Sequence, residues 1–371
     1  MFRKLLTLNI ILLFALTCDA NDTEKLLAYL KQHAVRLSYD VDSTLQLTPE
    51  LSALLDNAIN GKQLLIMGEG GSHSLNLNGD MMILLLRYAG SKNLKYFFVE
   101  GSRASAIRDN DFFNTPGINA QAFYKQYYPD NNTYFNRMKD AEKIVHQKSG
   151  FMQVGIDFER ARGLYLTTTK ATKDVTSAYR EKLYQLAPYL KDTSYFAYSE
   201  KGFKNFFKEQ QNNFYRDSNQ FKSIENLNYP MFRYELSNSN INTSYGQRDR
   251  PMAENLLSEL GGIQQGQLCL LDCGMAHSRP NINGTLANIL SKSDVLKNKI
   301  EVVQIICDDC STPQEKASNW AYKYLNDNIL STFNSAAGDN ITIFDLSGVP
   351  KEFEEIKEYG RLLVFAHGYK N

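Results

Sequence analysis

The residues of this chain best suited to chemistry sit in four short segments. Gly68-Glu69-Gly70-Gly71-Ser72-His73 puts a carboxylate and an imidazole in one glycine-rich turn. Glu100-Gly101, Gly155-Ile156-Asp157 and Gly274-Met275-Ala276-His277 add two more carboxylates and a second imidazole. Only five histidines occur in the whole chain, so two at such turns are notable. A His beside a carboxylate can move a proton at neutral pH, because the carboxylate selects the tautomer and supports the imidazolium. A cation is at hand in Tyr245-Gly246-Gln247-Arg248-Asp249-Arg250-Pro251-Met252-Ala253-Glu254-Asn255, which reads as a loop entering a helix. Arg248 is expected just ahead of that helix and Pro251 in its first turn. A guanidinium there clamps a carboxylate or stabilises a developing oxyanion. Each residue alone also has a plain structural reading: Glu69 as a helix cap, a His as hydrogen-bonded structure, Arg248 as a surface partner of Asp249 or Glu254. Their recurrence at equivalent positions singles them out, since a core gains nothing from several carboxylates at one end unless they are partnered.

Each segment ends an apolar run of strand length. Buried strands are predicted over Gln63–Glu69, Lys95–Gly101, Phe151–Phe158, Gln267–Gly274, Glu301–Cys307, Ile341–Leu346 and Arg361–His367. Their near-continuous Val, Ile, Leu, Phe and Met content fits a parallel sheet covered on both faces. Helical patterns separate them. Thr48-Pro49-Glu50 supplies an N-cap, a first-turn proline and an acidic first turn, and Asn60-Gly61 stops the helix. Met81–Tyr88 is apolar nearly all round, and Tyr134–Gln147 and Met252–Leu260 are amphipathic. The class is α/β: a mostly parallel central sheet covered by helices. Sites in such sheets open at the carboxyl ends of the strands, so Glu69, His73 and Glu100 converge on one rim if their strands are neighbours. Residues 160–245 break the rhythm and read as a helical insertion. An aromatic stripe there (Phe203, Phe206, Phe207, Phe214, Tyr215) either packs on the sheet or walls a pocket for an apolar ligand.

The 371 residues suffice for one large domain, here 21–371. Lys+Arg and Asp+Glu are both 41, and a neutral chain argues against an electrostatic grip on nucleic acid. Residues 1–20 read as a signal peptide: Arg3 and Lys4, an apolar stretch over Leu5–Thr17, and a cleavage site after Ala20. Lipidation of Cys18 is the second processing route. No other segment is long and apolar enough to span a membrane. The mature chain is therefore expected in the periplasm or outside the cell, with a small molecule as its partner. In an oxidising compartment Cys269, Cys273, Cys307 and Cys310 point to one or two structural disulfides.

The set Gly68-Glu69 with His73, Glu100, Gly155 with Asp157, Arg248-Asp249 with Met252-Ala253-Glu254-Asn255, and Ala276-His277 resembles the erythromycin esterase-like superfamily. The resemblance runs over nearly the whole mature chain, and the Arg-Asp-x-x-Met-Ala-Glu-Asn segment is its most specific part. It implies an α/β fold with helical insertions and hydrolysis of an ester or lactone without a cofactor. It further implies His73 as general base, Glu69 and Glu100 orienting it, Arg248 on the carbonyl or oxyanion, and His277 completing the site. Asp157 and Asn255 fall on the substrate side. Wider relatives of the fold are similar to haem-binding lipoproteins and metal-dependent peptidases. Two departures stand out. The family usually has two residues between the Glu and His of the first turn, and here there are three. Its fourth strand often ends His-Asn-x-His, where this chain has Gly274-Met275-Ala276-His277. The rival readings are a divalent metal held by Glu69, Glu100, His73 and His277, or an exported protein that binds haem, a metal or a small ligand without turnover.

Overall fold

Alternate residues of the apolar runs face opposite sides of one sheet. The computed structural model describes residues 22–41, 43–70, 76–101, 103–125, 132–157, 246–308 and 325–369. Eight strands are formed: β1 (Ala34–Arg36), β2 (Leu64–Glu69), β3 (Leu94–Val99), β4 (Met152–Gly155), β5 (Leu268–Gly274), β6 (Ile300–Asp308), β7 (Thr342–Asp345) and β8 (Leu362–His367). Their order in space is β1-β7-β8-β6-β2-β5-β3-β4. From β8 to β4 every pairing is parallel, and β7 and β1 close the other edge antiparallel. All seven predicted strands are present. β1 went unpredicted because three half-exposed residues carry no readable alternation.

Ten α-helices lie among the described residues: α1 over 22–32, α2 (Pro49–Ala58), α3 (Asn76–Gly90), α4 (Arg103–Asn114), α5 (Ala120–Tyr124), α6 (Thr133–Ser149), α7 (Gly246–Glu259), α8 (Met275–Ser278), α9 (Leu286–Lys292) and α10 (Asp327–Ala337). On one face, Leu65 and Met67 of β2 and Leu268 and Leu270 of β5 pack with α3, α4 and α6. On the other, Leu64, Ile66, Cys269 and Leu271 pack with Met252 and Leu256 of α7 and Leu286 and Leu290 of α9. α1 and α10 cover the same second face nearer β8. Among the described residues, no helix is long and apolar enough to cross a membrane.

Two expectations need correction. α7 begins at Gly246, so Arg248 is inside the helix and Pro251 is interior rather than in a first turn. Proline lacks an N–H, so the helix forgoes one backbone bond there. Cys269 and Cys273 are free, buried thiols, not disulfide partners. Four residues along a strand separate them by about 13 Å, roughly twice what a disulfide spans. Cys307, the last residue but one of β6, is disulfide-bonded, and Cys310, like the leader, residues 160–245 and His73, lies outside the described residues.

The topology locates a crevice. β2 and β5 are neighbours, but β2 leads through α3 to β3 on one side while β5 leads through α9 to β6 on the other. Two crossovers of one hand running in opposite directions must use opposite faces, which opens a gap at the carboxyl ends of β2 and β5. The glycines of the first turn serve close contact there. A Cβ on Gly68 would stand 2.2 Å from Ser278 Oγ, and one on Gly70 2.1 Å from the Ile305 carbonyl oxygen.

Candidate active site

Glu100, one residue beyond β3, is the hub. Its Oε1 accepts a hydrogen bond from Arg248 Nη2 at 2.8 Å and lies 3.4 Å from His277 Nε2. Its Oε2 accepts from the Gly274 N–H at 2.8 Å. Arg248 forks onto Asp157: Nε donates to Oδ1 at 3.2 Å and Nη2 to Oδ2. His277 Nδ1 lies 2.9 Å from Asp249 Oδ1. The result is one chain of alternating charge, Asp249–His277–Glu100–Arg248–Asp157, drawn from the ends of β3, β4 and β5 and the first turn of α7. Of the three strand-end carboxylates, Glu100 and Asp157 find their partner in Arg248.

These contacts set the charges. Burial favours the neutral forms, but the His277 bond and charge, the Gly274 N–H and Arg248 outweigh it and hold the Glu100 carboxyl down at about 2. Burial likewise opposes a charged His277, and the bonds to Asp249 and Glu100 overcome it, raising the imidazole to about 9. His277 is thus an imidazolium at neutral pH and unsuited to be a base there. Cys273, beside these groups on β5, is pushed well above its ordinary value by burial and then by Glu100, Asp272 and Glu69, so its thiol stays protonated and weakly nucleophilic.

The α7 segment shows why its residue types matter. Arg248 and Asp249 point into the site, and Met252 and Ala253, both 0% exposed, anchor the helix on the sheet. Arg250 and Glu254 face solvent and pair with each other at 3.2 Å. Asn255 is also fully buried and donates from Nδ2 to the Ile156 carbonyl at 2.8 Å, fixing the backbone next to Asp157. Asp249 has a second duty: its Oδ1 accepts the Leu286 N–H at the start of α9, where a negative charge suits the helix dipole. Asp249 therefore serves His277 and α9, not Arg248 as a surface partner. Its spacing of one from Arg248, at a helix start, was the available signal.

Glu69 ends β2 directly beside Gly274 in the parallel register, so Glu69 and Glu100 flank the tip of β5 from either side. The turn that follows is clamped at its stems. The Asn78 side chain accepts from the Gly70 N–H at 3.2 Å and donates to the Gly70 carbonyl at 3.1 Å. His73 lies within that turn, outside the described residues. Among the described residues of the candidate metal donor set, Glu100 and His277 are already engaged: both Glu100 oxygens meet protein donors, and both His277 nitrogens face carboxylates.

No family model matches the chain, and no curated protein matches its sequence. Solved structures do match in shape. A mutant of the erythromycin esterase EreC in its open conformation aligns at a TM-score of 0.55 and 10% identity, over 87% of this chain and 95% of that one. This chain shares the erythromycin esterase fold. A succinoglycan biosynthesis protein aligns at 0.55 and 13% identity over 94% of this chain and 92% of its own, and a Bacillus cereus protein at 0.51 and 12% over 94% and 97%. At such identities the likeness is one of fold, and chemistry has to be argued from the site.

Proposed function

We propose that this chain is an exported hydrolase that cleaves an ester or lactone by water attack, with His73 as general base. The observation that carries the reading is the charge chain centred on Glu100, held at the crevice where α/β sheets bind ligands and adjoining the Glu69 turn. In this reading Glu69 orients His73. Arg248 and His277 supply fixed positive charge toward the carbonyl oxygen, and Asp157 and Asp249 hold those cations in place. The erythromycin esterase fold supports the substrate class. The chemistry as written needs no metal, and export is part of the proposal, resting on the reading of residues 1–20 as a leader.

Hydrolysis of p-nitrophenyl esters and of lactones by wild type, His73→Ala and Glu100→Gln tests this. General base catalysis contributes about 10²–10⁴-fold, so His73→Ala should lose about that much. Equal rates for wild type and His73→Ala end the proposal. The second reading is ligand binding without turnover. It is favoured by the engagement of Glu100 and Arg248 with protein partners, and an inactive wild type that still binds a small ligand would establish it.

A further inference from the structure

The turn from α6 into β4 builds a cavity that has no part in the hydrolase reading. α6 stops at Gly150, which takes the left-handed conformation (φ 68°, ψ 20°) and returns its N–H to the His146 carbonyl. The chain reverses there, and the Phe151 carbonyl comes back onto the His146 ring, where it accepts from Nδ1 at 2.8 Å. Beside this turn lies a cavity of about 260 Å³. That is close to the lower end of known ligand pockets, about 300 Å³. Its walls are Ile107, Asn110 and Asn114 of α4, His146 of α6, and Phe151 and Met152 where β4 begins. Asp157 and the charge chain stand beyond the other end of β4, five residues and roughly 16 Å along the strand from Met152.

His146 is the directing polar group of this cavity. A carbonyl can only accept, so Nδ1 carries the proton, and Nε2 of the neutral ring presents a lone pair. Burial lowers the imidazole below its ordinary value, against the Phe151 bond and with help from the charge of Lys143 one turn earlier, so the ring is neutral at neutral pH. Two aromatic neighbours fix its orientation: the Phe113 ring centroid lies 5.3 Å away, and the Phe151 ring lies 5.3 Å away at 87°. Among the described residues nothing donates to Nε2, and it is not one of the sealed polar atoms. Asn110 is bonded at both ends of its amide by the Gln153 backbone. Asn114, exposed at the mouth, donates from Nδ2 to the Asn110 carbonyl at 2.8 Å, which leaves its Oδ1 as a second acceptor. None of the wall residues is charged, so a cation finds no carboxylate here and an anion no cation. What the cavity offers is a lone pair set among the aromatic ring of Phe151, the aliphatic chain of Ile107 and the thioether of Met152, which suits contact with a ring.

We propose that this cavity is a second binding site, and that its ligand is a small neutral aromatic alcohol whose hydroxyl donates to His146 Nε2 while its ring lies against Ile107, Phe151 and Met152. The site shares no residue with the crevice and stands whether or not the protein is a hydrolase.

The test uses the full mature chain with para-cresol as probe and its methyl ether, which keeps the ring but has no hydroxyl to donate. Ring nitrogen–proton correlation spectra of the five histidines are followed at neutral pH as each compound is added, and the His146 signals are those missing from His146→Phe. Cresol should move the His146 signals saturably, and the ether should bind about tenfold more weakly, since it leaves the lone pair unmet. In His146→Phe, which keeps a ring against Phe113 and Phe151, cresol and ether should bind alike, as followed by calorimetry. His146 signals unmoved at saturating cresol overturn the proposal. So does movement of His277 alone, which puts cresol in the crevice, and so does a preference for cresol that survives in His146→Phe. Should His146→Phe not fold, Asn114→Trp decides: the substitution is at an exposed residue and blocks the mouth, so it should abolish cresol binding, and undiminished binding rules the cavity out.

Discussion

At the scale of single residues, Arg248 separates charge from packing. Its guanidinium bonds two buried carboxylates, Glu100 and Asp157. Removing one partner of a buried ion pair costs about 3–5 kcal/mol, because the other charge is stranded. Arg248→Met should therefore lower stability by about that amount in a urea melt, and Arg248→Lys should restore only part of it, since an ammonium cannot fork. An unchanged urea midpoint for Arg248→Met would show that the pair contributes nothing. The pH dependence follows from the same chain. His277 is raised from 6.5 to about 9, so its contribution is full below pH 6.5 and is lost as pH climbs through about 9. Glu100 is lowered from 4.5 to about 2, so its contribution is full above 4.5 and is lost as pH drops through about 2. Stability should peak between these ranges and fall on the alkaline side by on the order of 2–3 kcal/mol. His277→Gln should flatten that alkaline slope in melts taken across pH, and parallel slopes for the two proteins would assign the loss to other groups.

At the scale of elements, the first turn is tuned by contact distance. Gly70→Ala places a Cβ against the Ile305 backbone, which cannot move aside without shifting β6. Overpacking of that kind costs about 1–3 kcal/mol, measurable by chemical denaturation, and a neutral result would mean that β2 and β6 separate easily. Asn78→Ala acts elsewhere: it frees both backbone groups of Gly70. It should lower kcat for ester hydrolysis more than it raises KM, because it loosens the stem of the turn that carries His73. Much of this architecture was legible beforehand. Apolar runs such as Leu64–Met67 leave no polar face, so they could only be strands buried on both sides, and the Glu or His after each marked the rim. The pairings within the rim were not legible. That Arg248 would reach Glu100 and Asp157, and not Asp249 or Glu254, depends on where α7 sits against β4, and no local pattern encodes that. Pro251 misled for a related reason: a proline read as a helix start was carried inside the helix, where Met252 and Ala253 bind it to the sheet.

At the scale of the whole molecule, catalysis and export can be tested apart. Purified without chelator, the protein should hydrolyse esters at the same rate before and after treatment with EDTA. A rate abolished by EDTA and restored by zinc would replace the His-activated water with a metal-bound one. Mass spectrometry of the protein recovered from its native compartment should find an N-terminus at Asn21, whereas a diacylglyceryl adduct on Cys18 would make it a lipoprotein.

The position of β5 also decides when the molecule can assemble. β2, near the middle of the sheet, pairs only with β5 and β6, so its first partner is not synthesised until residue 268. Through some two hundred residues of synthesis it has open edges on both sides. A fragment ending before residue 246 should remain without cooperative structure, because contacts so distant in sequence form late. Such a chain stays threadable until its last third is made, which is the condition a translocation channel for unfolded polypeptides requires.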